Sequence, residues 1–301
     1  MIPPLCQTSY LVAFIERLVA QGGPYRDDYA ELDAVIQEVA ILKATGEIDA
    51  DDLEELISVF GDAFSIETMQ GFAFHKPHGY AGDFEMIDRI YTQYRSQDPR
   101  LRKWDDYWQS HAAARAVRNR NDYFAQTITK KVEDGEHCTI LNLASGPGRD
   151  IYSLFSQSDY LPIHIDCIEQ DPKAIRKSLN VCAPYLDQIT VMQQNALRLK
   201  LPKSYDVIWS AGLFDYFSDK LFCHVLQRLK NLGKEETGEI VIGNFSTVNP
   251  SRAYMELFDW KLEHRSPERL RYLAKQCSFQ DHQLEVQQEA EGVNLFLHIR
   301  G

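Results

Sequence analysis

Apolar positions in the first 130 residues recur three and four apart, through Leu11 to Val19, Tyr29 to Leu42 and Leu53 to Phe60, a spacing that predicts amphipathic helices. Gly22-Gly23 and Gly46 stand where the first two should stop. The stretch from His111 to Val132 predicts one further helix, with Ala114, Val117, Phe124 and Ile128 on a stripe that includes Asn121. Arg118 and Arg120 border that stripe on opposite sides, and Arg115 and Arg120 fit a solvated face.

Near residue 139 the period changes. Short apolar runs at Thr139 to Ala144, Ile163 to Ile168, Ile189 to Met192, Tyr205 to Trp209 and Glu239 to Ile242 alternate with helix-like stretches, which predicts a parallel sheet wound with helices. A helix over about Ser266 to Gln276 follows. Two runs, Leu284 to Gln287 and Val293 to Ile299, flank Glu291-Gly292 and predict an antiparallel hairpin on the sheet edge. The polar link Glu133-Asp-Gly-Glu-His137 marks the expected boundary, giving a helical domain over 1–133 and an α/β domain over 134–301.

The most informative segment is Ile140-Leu-Asn-Leu-Ala-Ser-Gly-Pro-Gly-Arg-Asp-Ile151, a strand feeding a glycine turn and then a helix. Gly146 and Gly148 permit close backbone approach to a ligand. A dinucleotide fingerprint needs another glycine where Ile151 stands, so NAD and FAD are disfavoured. About twenty residues on, Glu169 closes the second strand, where a carboxylate can accept both hydroxyls of a ribose. Asp171 followed by Pro172 reads as a helix start.

These motifs resemble the class I S-adenosylmethionine-dependent methyltransferases over roughly residues 138 to 300. The family's glycine motif matches Ala144-Ser145-Gly146-Pro147-Gly148, its ribose acid matches Glu169 with Gln170 beside it, and its adenine-side residue matches Asn195-Ala196. Ala144 replaces the usual first glycine, and Asn195 the usual aspartate; a small side chain and an amide are tolerable there. The resemblance implies a doubly wound, Rossmann-like α/β fold with S-adenosylmethionine as cofactor. Ser210, Gly212 and Leu213, after the fourth strand, would border it, while Phe214, Tyr216 and Phe217 serve either the site or the core of the next helix.

The helical half carries His75-Lys-Pro-His78-Gly-Tyr80-Ala-Gly-Asp83, a loop leading into an amphipathic helix. Asp83 fits an N-cap and could also face a ligand, and His75, His78 or Asp83 could accept a proton from a phenol or alcohol. With the Ala116-Val-Arg-Asn-Arg120 string and Tyr254 to Arg265, this loop resembles a narrower group, bacterial methyltransferases that make 3-hydroxy fatty acid methyl esters. That resemblance implies a carboxylate or other small acceptor held between cap and sheet. Arg118, Tyr80 and Tyr216 are then its candidate positioners, and Arg118 or Asn121 a contact to the ligand.

Composition narrows the classes. In 301 residues, 44% hydrophobic, 44 acidic against 32 basic side chains give a formal charge of -12, which repels phosphate backbones and anionic lipids. Nucleic-acid substrates are not expected, and a protein or RNA methyltransferase is an alternative resting on Arg115, Arg118, Arg120, Lys130 and Lys131. A non-catalytic cofactor-binding sensor or partner protein is the other. Six scattered cysteines form no C-x-x-C pair, so neither a metal site nor a disulfide scaffold is expected. The first apolar run is interrupted by Glu16 and Arg17, so no membrane span is expected and a reducing cytoplasm is the default.

Overall fold

The computed structural model describes residues 4–133, 137–158 and 160–301, with side chains from residue 9 onward at the first end. The link residues Asp134-Gly135-Glu136 and the Cys6 side chain lie outside the described part. In chain order the helices and strands are α1 (Pro4–Ala20), α2 (Tyr29–Thr45), α3 (Ala50–Ser58), α4 (Met69–His75), α5 (Phe84–Tyr91), α6 (Arg102–Ser110), α7 (Ala112–Lys131), β1 (Cys138–Leu143) and α8 (Arg149–Ser156). There follow β2 (Ile163–Glu169), α9 (Pro172–Val181), β3 (Ile189–Gln193), β4 (Val207–Ser210), α10 (Asp219–Lys230) and β5 (Glu239–Phe245). The chain closes with α11 (Arg252–Leu257), α12 (Pro267–Gln276), β6 (Leu284–Gln288) and β7 (Asn294–Arg300).

Two compact units divide the chain, Met1–Ala114 with Pro250–Lys261, and Arg115–Asn249 with Leu262–Gly301. This corrects the boundary expected after residue 133 in two ways. Most of α7 belongs with the sheet, because Phe124, Ala125, Ile128 and Val132 are buried in one cluster with Ile140, Ile165, Trp209 and Phe296. Residues 250–261 belong with the helices, because Phe258 packs on Phe60 and Phe64 and Trp260 stacks on Trp108 at 6.1 Å.

In the helical unit, the local signals act as the residue types require. Gly46, at φ 75°, ends α2 in the left-handed conformation. Asp49 caps α3 by accepting from the Asp51 and Asp52 N–H groups, and Thr68 caps α4 through Gly71 N–H. Burial of Leu11, Phe14, Ile15 and Leu18 seats the inner face of α1.

The other unit is a seven-stranded sheet in the order β3-β2-β1-β4-β5-β7-β6. Strands β1 to β5 run parallel, β7 pairs antiparallel with β5, and β6 pairs antiparallel with β7. The hairpin therefore extends the sheet with its second strand innermost. One face packs on α7 and α8, the other on α10 and α12 through Phe222, Leu226, Leu270 and Leu273. The strand order reverses between β1 and β4, so their connections leave in opposite directions and open a crevice at the carboxyl ends. No described helix is long and apolar enough to cross a membrane.

Candidate functional site

The crevice begins where β1 ends. Ala144, Gly146 and Gly148 all take left-handed backbone angles, φ 56°, 57° and 73°. Nothing within 4 Å would meet a Cβ added to Gly146, so the turn is open on that side. Gly148 is different: a Cβ there would lie 2.6 Å from Ser178 Oγ and 3.0 Å from Cys182 Sγ. Its bareness lets the start of α8 close on α9, a packing role where the sequence suggested ligand approach. Ser145 is buried beneath the turn, and its N–H donates to the Ile168 carbonyl at 3.2 Å.

Glu169 binds the two halves of the crevice together. Its Oε2 accepts the Gly146 N–H at 3.0 Å, and its Oε1 accepts Gln170 N–H at 2.7 Å and Asp171 N–H at 3.0 Å. A carboxylate offers about four acceptor positions, so three are committed to the backbone and about one is left for a ligand hydroxyl. Asp171 caps α9 by accepting Lys173 N–H at 2.7 Å, as the Asp-Pro start requires. At the adjacent strand end Asn195 Oδ1 accepts Leu197 N–H at 2.8 Å, opening the short turn begun by Ala196, and its Nδ2 donates to Gln170 Oε1 at 3.1 Å. Both amides are exposed beside the end of β2.

After β4, Ser210 is buried and its Oγ donates to the Leu143 carbonyl at 3.2 Å, fastening β4 to β1. Phe214 and Phe217 are core, whereas Tyr216 is 41% exposed. Leu213 packs partly buried against the same core.

The helix stripe left the arginines unresolved, and the structure separates them. Arg120, assigned to a solvated face from the sequence, is only 8% exposed, and its Nη1 lies 3.0 Å from where a Cβ on Gly212 would stand. The absence of that Cβ is what admits the guanidinium to the end of β4. Arg118 is half-buried in the field of Glu291, and Arg115 forms a double contact with the same carboxylate at 2.8 Å. Asn121 lies on the inward stripe as expected, and its Oδ1 is buried without a hydrogen-bond partner among the described residues.

Two acids near Arg120 escaped the sequence reading. Asp150 accepts from Asn142 Nδ2 at 3.3 Å; burial raises its carboxyl, and Arg120 opposes the rise. Asp215 is 2% exposed and accepts Phe245 N–H at 2.6 Å. Burial pushes its carboxyl up to about 7, with Phe245 N–H, Arg120 and Arg265 pulling it down. Asp215 hid between Phe214 and Tyr216, whose aromatic character drew the attention. Arg120 was hidden because periodicity gives an angle on a helix without saying what that angle meets.

In the helical unit, the loop residues have local work. His75 Nε2 donates to the Phe64 carbonyl at 2.8 Å, and His78 Nε2 to Glu85 Oε2 at 2.8 Å. Asp83 caps α5 through Glu85 and Met86 N–H at 2.9 and 2.8 Å; burial raises its carboxyl and those bonds lower it. Tyr80 is 41% exposed. No group of three or more His, Cys, Asp or Glu side chains among the described residues could hold a metal ion.

No protein-family model matches the chain, and no curated protein matches it. Solved structures do. A possible exported protein from Bordetella parapertussis superposes with a TM-score of 0.66 at 16% identity, covering 99% of this chain and 96% of that one. Magnesium protoporphyrin IX methyltransferase from Synechocystis PCC 6803, with bound S-adenosylhomocysteine, gives 0.54 at 12% identity over 80% of this chain and all of that one. The S-adenosylmethionine-dependent methyltransferase SibL, without ligand, gives 0.52 at 12% identity over 80% and 72% of the two chains. At these identities the likeness is one of fold: the chain has the Rossmann-like fold of the class I methyltransferases.

Proposed function

We propose that this chain is an S-adenosylmethionine-dependent methyltransferase that methylates an oxygen, carboxylate or hydroxyl, of a small-molecule acceptor such as a fatty-acid-like metabolite. The observation that carries the reading is Glu169 bridging the glycine turn and the end of β2, at the point where the strand order reverses. The residues fit a nucleoside. Gly146 leaves the turn open, Glu169 keeps an acceptor position for a ribose hydroxyl, and the Gln170 and Asn195 amides offer donors and acceptors to adenine. At the opposite end Arg120, Asp150 and Asp215 supply one cation and two acids, complementary to the carboxylate and ammonium of an amino acid.

S-adenosylmethionine, when bound, supplies a methyl group already activated by its sulfonium. The protein's task is then to hold the acceptor in line and exclude water, and orientation alone is worth several kcal/mol, up to about 10. A carboxylate acceptor is ionised near pH 7 and needs no base; Arg118, Tyr80 and Tyr216 are its proposed positioners. A hydroxyl acceptor would draw on His75, His78 or Asp83 as proton acceptor.

Calorimetric titration with S-adenosylhomocysteine tests the cofactor assignment. Glu169→Ala and Arg120→Met are expected to weaken binding by tenfold or more, roughly 1.4 kcal/mol each. Wild-type affinity in Glu169→Ala would sink it. Incubation with methyl-labelled S-adenosylmethionine and a small-molecule extract then tests transfer: labelled small molecules support an enzyme, and tight binding without turnover a sensor.

A further inference from the structure

Five cysteine thiols are described, all of them free, and two lie where neighbouring helices of the sheet unit meet. Cys223 belongs to α10 and Cys277 caps the carboxyl end of α12, two helices packed together on one face of the sheet. Each sulfur reaches across to the other helix. Cys277 Sγ donates to the Cys223 carbonyl at 3.6 Å, and Cys223 Sγ to the Leu273 carbonyl, one turn before Cys277, at 3.7 Å. The two thiols also hydrogen-bond to each other. A buried cysteine is ordinarily a small core residue. This pair differs because the sulfurs are in contact and one of them is open to solvent.

Their exposures differ in the sense that thiol–disulfide exchange requires. Cys223 is half-buried, so a small disulfide can reach it, whereas Cys277 is 1% exposed. Burial pushes the Cys277 thiol up to about 12, its bond to the Cys223 thiol adds to the rise and Lys230 opposes it. Cys277 therefore waits as a protonated thiol until a disulfide forms beside it. The other three described cysteines are not arranged this way: Cys138, Cys167 and Cys182 are all buried, and Cys182 Sγ is committed to the Gly148 carbonyl at 3.3 Å.

We propose that Cys223 and Cys277 form a reversible disulfide by exchange with a small-molecule disulfide, Cys223 attacking and Cys277 resolving. The Cys223 sulfur bonds to one sulfur of the incoming disulfide, whose S–S bond breaks, and the departing thiolate takes up the Cys223 proton. The Cys277 sulfur then attacks Cys223, the mixed disulfide breaks, and the second departing thiolate takes up the Cys277 proton. The chain is oxidised by two electrons and the small disulfide is reduced to two thiols. The new bond closes a loop that contains β5 and the stretch Pro250–Lys261 belonging to the helical unit, so it fastens both ends of that excursion within the sheet unit. Methyl transfer plays no part in it.

Oxidised glutathione, incubated at neutral pH with the full chain carrying Cys6→Ser, provides the test, with thiols quenched by alkylation and peptides read by mass spectrometry. This folded parent is expected to lose two hydrogens, retain no glutathione and yield a linked Cys223–Cys277 peptide pair that dithiothreitol separates. Cys277→Ala should trap glutathione on Cys223, and Cys223→Ala should slow the reaction at Cys277 by at least about tenfold. In the parent, a lasting glutathione adduct on Cys223, a Cys223 that stays reduced under excess oxidised glutathione, or a cross-link of either sulfur to Cys138, Cys167 or Cys182 overturns the proposal, whether or not the variants fold.

Discussion

Ala144 holds a backbone angle, φ 56°, that an L side chain resists by roughly 1 to 2 kcal/mol. Ala144→Gly relieves that resistance and adds some freedom to the unfolded chain, so a net gain of up to about 1 kcal/mol is expected in the denaturation midpoint. Affinity for S-adenosylhomocysteine should stay within about threefold, since a methyl group has no hydrogen bond to lose. At this scale the sequence is informative where a residue acts through its own backbone or its neighbours. Glu169, Asp171 and the glycines were legible because their spacing from strand ends is local geometry. The bond from Gly146 N–H to Glu169 was not, since it depends on how close β1 and β2 bring their ends.

The glycine turn also decides how two helices meet. Gly148→Ala would press a methyl group to 2.6 Å from Ser178 Oγ at a left-handed angle, so α8 must move off α9. A loss of about 2 to 4 kcal/mol is expected in urea unfolding, only partly restored by adding Ser178→Ala, because Cys182 Sγ still stands 3.0 Å away. Strand and helix positions were readable from period alone: β1, β2, β5 and α12 lie within a few residues of their predicted bounds. Partnership was not. The stripe on α7 announces a buried face, but Phe124 and Ile128 look the same whether they meet helices or a sheet. The hairpin was likewise visible while its inner strand was not, since Leu284 to Gln288 and Asn294 to Arg300 are both short apolar runs.

Across the whole molecule, burial sets the response to pH. Asp105, accepting Met69 and Ser96 N–H at 2.7 Å each, is raised to about 6 by burial, and Asp215 to about 7. Both bind a proton more tightly folded than unfolded, so their contribution is complete below about pH 4 and fades as the pH rises to 6 and 7. Glu239 and Asp206 act oppositely: burial would raise them, but His298 and Arg300 hold Glu239 down, and Lys234 and Thr139 hold Asp206 down. Their contribution is present above the ordinary carboxylate range and is lost in acid. Melting temperature is therefore expected to peak near pH 5, and in thermal scans Asp105→Asn should flatten the fall between pH 5 and 6. A rise from pH 5 to 7.5 in the wild type would contradict this.

The helical unit draws on two distant stretches of chain, 1–114 and 250–261. Emerging from the ribosome, its first stretch must wait for some 135 further residues before Phe258 and Trp260 arrive to cover Phe60, Phe64 and Trp108. All five parallel strands are synthesised in that interval. These helices are thus made before the five parallel strands and completed only after them, and a fragment ending at residue 114 would carry a naked aromatic surface prone to self-association.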